Sequence, residues 1–528
     1  MKVHLLHPDR DLDPQAPLPS HAEALREDLG LDVLLEVMAA GDRPLRSACE
    51  RVLLTGLTDP EEIRYRQAVV ADVLRTPETF VSSYQLIVTG LELAKRSYSG
   101  LFRDAPDAIV RRAVERLRVY VDVLRRLRQA AVAVPADPQS SGVTRLFSLF
   151  TEQFDEPYLT EVEAQLGELT FPRGVLFAAR IGRGAAGTAL QLRRPRPQGW
   201  LSRSLDRSGA SFELSDRDDE GVESLSRLRD QALAEVAVVL GQASDDIELF
   251  LRQLRDELAV LTGLARLHAA LTDRGVPTCF PEAVPDRHDA AGEDGRGGDG
   301  PGEHGSGSST RPGGPGSHVP QLSAAGLCDP ALALQLSAPV VGNDVAADGA
   351  ALVLITGANQ GGKSTLLRSL GTAQLLLQAG MFVPATLFRG SLCGQVFTHF
   401  GREEDQALQR GKLEEELNRM RTIVERIRPG DLLLANESFA ATNEREGSEL
   451  ARQVFRAHLD VGVRVVAVTH LYDLAESLYR TERHRGVFLR AGREEDGERS
   501  FRIEPGAPLP TSYGQDLYRR IFGDDPSA

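Results

Sequence analysis

The stretch "LITGANQGGKSTLLRSL", Leu354–Leu370, decides how this chain is read. Gly357, Gly362, Lys363 and Ser364 fit the spacing G-x-x-x-x-G-K-S. Before it, "ALVLIT" is the apolar run of a buried strand; after it, "STLLRSLGTAQLLLQAG" reads as a helix ending at Gly380. A strand, a glycine-rich loop and a helix in that order make a cradle for phosphate. The glycines let backbone N–H groups turn inward, and the helix N-terminus adds about half a positive charge. The candidate cradle is Gly357, Ala358, Asn359, Gln360, Gly361, Gly362, Lys363, Ser364 and Thr365. In such a loop the lysine reaches the outer phosphates and the serine hydroxyl takes a place on a magnesium ion.

Outward from this motif, composition narrows the class. The 528 residues are enough for roughly three domains. The formal net charge is -15, so bulk charge gives no sign of a nucleic-acid binder, although local patches can still serve. Cys49, Cys279, Cys328 and Cys393 are far apart, without metal-ligand spacing and too few for a secreted disulfide scaffold. The opening "MKVHLLHPDRDLDP" is not a signal peptide. No apolar run approaches the ~20 residues that span a bilayer. A cytoplasmic protein without membrane contact is expected.

Residues 1–20 read as an N-terminal extension, and 21–283 as a helical core and lever domain. Asp59-Pro60-Glu61-Glu62 is a helix start: cap, proline in the first turn, then acids facing the dipole. "IVRRAVERLRVYVDVLRRLRQ" is a long arginine-rich helix. Around 171–215, "GVLFAARIGRG" and "GTALQLRRPRP" suggest short strands about a glycine turn. Residues 222–273 are helical again, with a break expected at Gly241 and a restart from the Ser244/Asp245 cap. The restarted helix of ~29 residues would reach about 40 Å, a strut. The segment 284–319 is rich in Gly, Pro and Asp and reads as a disordered insertion. From 320 to 528 apolar strands alternate with helices, an α/β nucleotide-binding pattern.

Several blocks together resemble the MutS family of DNA mismatch-repair ATPases. The family's TGPN-M-GGKST, long helix and G-x-x-VPA are matched by Thr356, Gly357, Asn359, Gly361 to Thr365, Gly380, Val383, Pro384 and Ala385. "FTHFGREED" is similar to its FTRIGA-x-DD loop, with His399 where Arg is usual. "NESFAATNEREGSELA" resembles its DE-x-GRGTS block, "AVTHLYDLA" its ATH-x-x-x-L switch, and "SYGQDLYRRIFG" its SYG segment. "LCDPALALQLSAPVVGNDV" resembles its HP-x-L…VPND lead-in. The N-terminal half resembles the family more weakly. The resemblance implies an α/β P-loop (ABC/MutS-type) ATPase domain preceded by a mostly α-helical core and lever domain. It points to a short form lacking the mismatch-recognition and connector domains. Phe154-Asp155-Glu156 repeats the family's Phe-x-Glu wedge in the wrong place and reads as an ordinary tripeptide.

Hydrolysis of ATP needs charge neutralisation on the phosphates and a placed water. The resemblance gives the catalytic roles to Glu437, His470 and Lys363. Glu437, just past the strand "DLLLA", is the base or water-orienter; His470, after "VRVVAVT", is the γ-phosphate sensor. The metal would be held by Ser364, Asn436 and Glu437. Asn436 departs from the family's Asp: it keeps an oxygen acceptor and loses the charge, which weakens Mg²⁺ affinity and slows hydrolysis. In "QRGKLEEELNRM" the family's signature serine is absent; Lys412 either meets the γ-phosphate of the partner subunit or is a solvated helix lysine. The family pairs two ATPase domains, so a homodimer is implied.

DNA contact has two candidate stretches: Arg111, Arg112, Arg116, Arg118, Arg125, Arg126 and Arg128, and Arg193, Arg194, Arg196, Arg203 and Arg207 with Trp200. They either meet phosphates or pair with the abundant acids. The function expected is an ATPase whose nucleotide cycle drives a helical clamp on mismatched, branched or distorted DNA, in repair or recombination. The alternative is a slow-hydrolysing nucleotide-dependent switch acting on a protein or ribonucleoprotein partner.

Overall fold

Sequence periodicity becomes architecture first in the helices. A computed structural model describes residues 2–96, 105–134, 137–172, 174–181, 187–193, 218–285, 319–336, 338–357, 361–401, 411–493 and 499–510. The helices opening the chain are α1 (Ala22–Asp28), α2 (Leu31–Ala39), α3 (Arg43–Leu54) and α4 (Pro60–Arg75). There follow α5 (Pro77–Arg96), α6 (Pro106–Ala133), α7 (Ser141–Ser148), a π-helical turn (Leu149–Gln153) and α8 (Glu156–Glu168). Strands β1 (Phe177–Ile181) and β2 (Gly187–Leu192) form an antiparallel hairpin, and α9 runs Asp219–Thr272.

α9 corrects the expected break. It is one helix of 54 residues, about 81 Å long at 1.5 Å per residue. A glycine inside a helix costs only about 1 kcal/mol, which packing recovers here. Phe250, Leu251, Leu254 and Leu258 are all buried. Ser244 and Asp245 cap nothing: Ser244 is buried inside the helix, and Asp245 pairs with Arg116 at 3.3 Å.

Contacts group the chain into two units. One comprises residues 1–5, 9–12 and 76–258; the other comprises 6–8, 13–75 and 259–528. In the first, the buried carboxylate of Glu257 accepts the N–H groups of Leu5 and Leu12 at 2.6 and 2.9 Å. Asp155 caps α8 through the Tyr158 N–H, and Glu156 pairs with Arg125 at 2.9 Å, so the Phe-x-Glu tripeptide has local structural work. Arg111, Arg126 and Arg128 also meet carboxylates, those of Asp107, Asp122 and Glu156. Arg111, Arg116, Arg125, Arg126 and Arg128 of that stretch therefore have acidic partners. Of the second stretch, Arg193 is described; Arg194, Arg196, Trp200, Arg203 and Arg207 lie outside the described residues, as do 286–318 of the expected insertion.

The second unit is mixed α/β. Its strands are β3 (Glu282–Val284), β4 (Leu322–Leu327), β5 (Asn343–Ala346), β6 (Leu352–Thr356), β7 (Leu387–Ser391), β8 (Val396–Phe400), β9 (Leu432–Asn436), β10 (Arg464–Val468), β11 (Gly486–Arg493) and β12 (Arg499–Pro505). Between them lie α10 (Pro330–Gln335), α11 (Lys363–Gln378), α12 (Lys412–Val424), α13 (Glu444–Asp460) and α14 (Tyr472–Thr481). One sheet has four strands in the order β3-β7-β4-β5. The other has six, β12-β11-β6-β10-β9-β8, all parallel except β12. Buried on both faces, β6, β9 and β10 read as nearly unbroken apolar runs. Helix α11 is buried nearly all round; its buried Ser369, Gln374 and Gln378 side chains donate to the carbonyls of Thr365, Ser391 and Cys393. The register aligns Ile355, Val468, Asn436 and Phe400 in one row across four strands. The residues immediately beyond this row build the site.

Candidate active site

The carboxyl ends of parallel strands are where open α/β sheets bind ligands. Here β6 leads into Gly357, whose φ is +114°, and a Cβ there would lie 3.0 Å from Ala491. Gly362 caps α11 with φ +88°. Both positions need the left-handed region that glycine enters without cost. Ala358, Asn359 and Gln360 lie outside the described residues; Gly361 and Thr365 are described, flanking the start of α11.

Lys363 opens α11 and is 4% exposed. Its ammonium donates to the Gly357 carbonyl at 2.8 Å and lies 3.9 Å from Glu437 Oε1. Burial pushes this ammonium below its ordinary pKa, against the opposing pull of Glu437. One residue on, the Ser364 hydroxyl donates to Asn436 Oδ1 at 2.9 Å. The departure from the expected Asp therefore sits directly against the loop serine.

Glu437 follows β9. Its Oε2 accepts from the His470 backbone N–H at 3.0 Å and from His470 Nδ1 at 2.6 Å. Burial alone would raise its carboxyl pKa; the bond and charge of His470, with Lys363, outweigh that and hold it below the ordinary glutamate value. In return, the bond to Glu437 raises the His470 pKa against partial burial. The structure thus brings together Lys363 and Ser364 at the start of α11, Asn436 and Glu437 at the end of β9, and His470 just past β10. Lys412 is separate: it is exposed at the start of α12, and residues 402–410 before it lie outside the described residues. "SYGQDLYRRIFG" lies outside them too.

Two supports were not legible as site residues. His399, the substitute for the usual Arg, is fully buried in β8, with Nδ1 2.7 Å from Ser438 Oγ. Asn343 donates to the Phe501 carbonyl at 3.2 Å and accepts the Ile503 N–H at 2.7 Å. It fixes β12 where the Phe501 carbonyl would lie 3.3 Å from a Cβ on Gly362. The Asn343-Asp344 pair in the lead-in block was the available signal for the second; for the first, the signal was His399 standing where the family has Arg, which gave no role.

The chain is similar to known proteins in both its N-terminal and C-terminal parts. A family model described as the MutS2 N-terminal domain matches residues 58–274, and one described as MutS domain V matches 353–517. Endonuclease MutS2 of Carboxydothermus hydrogenoformans is 35% identical over 133 residues, 25% of this chain and 17% of that protein. DNA mismatch repair protein MutS of Chloroflexus aurantiacus is 31% identical over 192 residues, 35% of this chain and 20% of that protein. Endonuclease MutS2 of Lacticaseibacillus casei is 34% identical over 144 residues, 27% of this chain and 18% of that protein. The chain thus spans about a fifth of the length of the curated relatives it matches. With both family models in order along it, the chain belongs to the MutS family, in a MutS2-like form.

Proposed function

We propose that the second unit is a P-loop ATPase of the ABC/MutS type, and that its nucleotide cycle drives a helical clamp on DNA in repair or recombination. One observation carries this reading: Lys363, Ser364, Asn436, Glu437 and His470 converge at the carboxyl ends of three adjacent parallel strands. Lys363 neutralises charge on the outer phosphates. Glu437, held ionised, orients a water and takes its proton as the water oxygen bonds to the γ-phosphorus. The bond between that phosphorus and its bridging oxygen breaks, and the pair of electrons leaves with ADP. His470 holds the Glu437 carboxylate in place and presents its ring toward the γ-phosphate.

Among the described residues no cluster of three His, Cys, Asp or Glu could hold a metal by itself. The oxygens that meet at Ser364 and Asn436, beside Glu437, are hard ligands suited to magnesium shared with phosphates. Ser364, Asn436 and Glu437 would hold that ion, which supplies charge neutralisation. With a neutral amide in place of a carboxylate, affinity for it is lower and turnover slower.

DNA as the partner is supported by the names of the relatives, a mismatch-repair protein and endonucleases. The family's pairing of ATPase domains supports a homodimer. Among the described residues no helix is long and apolar enough to cross a membrane; a cytoplasmic location fits this reading. The test is titration of the full chain with duplex, mismatched and junction DNA, with ATP, at two salt concentrations. At least one form should bind, more weakly at the higher salt. Failure of every form to bind would remove the DNA clamp and leave a nucleotide switch on another partner.

A further inference from the structure

Glu437 stands on a strained turn. Glu437 and Phe439 have φ of +52° and +62°, a region that costs residues with side chains of order 1–3 kcal/mol each. Such a turn persists only where its surroundings over-determine it. Main-chain bonds fix its entry: the Gly401 N–H donates to the Asn436 carbonyl at 2.8 Å, and the Glu437 N–H to the Val468 carbonyl at 2.9 Å. At its exit α13 presses close, since a Cβ on Gly447 would lie 2.3 Å from the Phe439 carbonyl oxygen.

Beneath the turn lies a buried polar group of three residues. His399, Ser438 and Glu416 are 0, 4 and 5% exposed. His399 Nε2 lies 3.1 Å from the backbone carbonyl of Glu416, on α12. A carbonyl can only accept, so in the neutral ring Nε2 carries the proton and Nδ1 is an acceptor; the single Ser438 hydroxyl hydrogen is shared between Nδ1 at 2.7 Å and the His399 backbone carbonyl at 3.0 Å. Burial keeps the ring neutral, pushing its pKa down to about 4. The Glu416 side chain in turn accepts the Phe439 N–H. One residue of α12 thus holds the turn twice: through His399 and Ser438, and directly at Phe439.

We infer that His399, Ser438 and Glu416 are positioning residues for Glu437: they pin the left-handed turn that aims its carboxylate and make helix α12 part of the catalytic geometry. The inference rests on the reading of Glu437 as the hydrolytic base. All three are buried beneath the turn and act through Glu437.

The test uses the full chain with Ser438→Ala, His399→Phe, their double variant and His399→Asn. Three quantities are measured: the turnover number for phosphate release, affinity for a fluorescent non-hydrolysable ATP analogue, and amide exchange in the peptide spanning 434–441. Turnover should fall about tenfold or more in each single variant, the order of loss that a small misplacement produces. Analogue affinity should stay within about twofold, because the contacts that bind ground state and transition state equally are untouched. The double variant should lose no more than the worse single one, as partners in one network do. Exchange at the turn should quicken. His399→Asn should recover part of the rate, since its amide oxygen can take the place of Nδ1 and accept from Ser438. Unchanged turnover and exchange would overturn the inference, as would additive losses with turnover and affinity falling together. If one variant fails to fold, the other single variant decides. Should the wild type release no phosphate, the hydrolytic reading fails by itself. Exchange then judges the positioning: a protected turn that opens in the variants supports it, and an unchanged one refutes it.

Discussion

Asn436→Asp separates metal binding from folding, because the two respond with opposite signs. The side chains are nearly isosteric, and Oδ1 keeps its bond from Ser364 at 2.9 Å. What changes is one negative charge. Against a divalent cation about 4 Å away, the gross attraction at an effective dielectric of about 20 is about 8 kcal/mol. Desolvation of the new carboxylate, and repulsion from Glu437 and the phosphates, remove most of it. Groups that tune a metal from this position are worth about 10–100-fold in affinity, roughly 1.4–2.7 kcal/mol. The half-saturating Mg²⁺ concentration should fall by that factor, measured both in phosphate release and in binding of a fluorescent nucleotide. Without metal and nucleotide the same change sets two carboxylates side by side with Lys363 as nearby cation. The melting midpoint of the nucleotide-free protein should drop and be restored by Mg²⁺ and nucleotide. An unchanged Mg²⁺ dependence would place residue 436 away from the metal and overturn this explanation of its role.

Two further predictions concern the scaffold. Gly241→Ala adds a Cβ whose nearest neighbour, Ile109 Cγ2, is at 3.7 Å, ordinary contact; it should stabilise α9 by about 0.5–1 kcal/mol. Slower amide exchange around 236–246 would show this, and faster exchange would mean the helix is interrupted there. His399 is neutral when folded, with its pKa lowered to about 4, against 6.5 when unfolded. Between these values the unfolded chain binds the extra proton, so stability is full above about pH 6.5 and is lost as pH falls toward 4. The loss reaches about 3 kcal/mol. Melting midpoints of the wild type should decline through this window more steeply than those of His399→Gln.

What the sequence made legible was local. The order strand, Gly357, Gly362, Lys363, helix needs only neighbours in the chain, so the phosphate cradle could be read directly. The family resemblance singled out Asn436, Glu437 and His470, and their places at or just past the ends of apolar strands fit the carboxyl edge that parallel strands share. Features set by distant partners were hidden. Gly241 looked like a helix stop, yet the packing of α9 overrides a local preference worth about 1 kcal/mol. For Arg116 and Arg125 the sequence left phosphate contact and acidic pairing both open; Glu248 and Glu156, far off in the sequence, take them up. The periodicity of α1 to α4 declared helices and named no partner; α1 packs on β8 and α3 on α11. The left-handed turn at Glu437 and the burial of His399 had no sequence signal, because neither residue type announces a positive φ or a burial paired to another helix.

Everything proposed for the site turns on Glu437 being the base of a working ATPase. The decisive measurement is steady-state phosphate release by the full chain, wild type against Glu437→Gln, with nucleotide binding measured in parallel. Release by the wild type should depend on Mg²⁺ and fall by on the order of 100-fold or more in the variant, with ATP still bound. Equal release by both proteins, or none by the wild type, would contradict that role for Glu437.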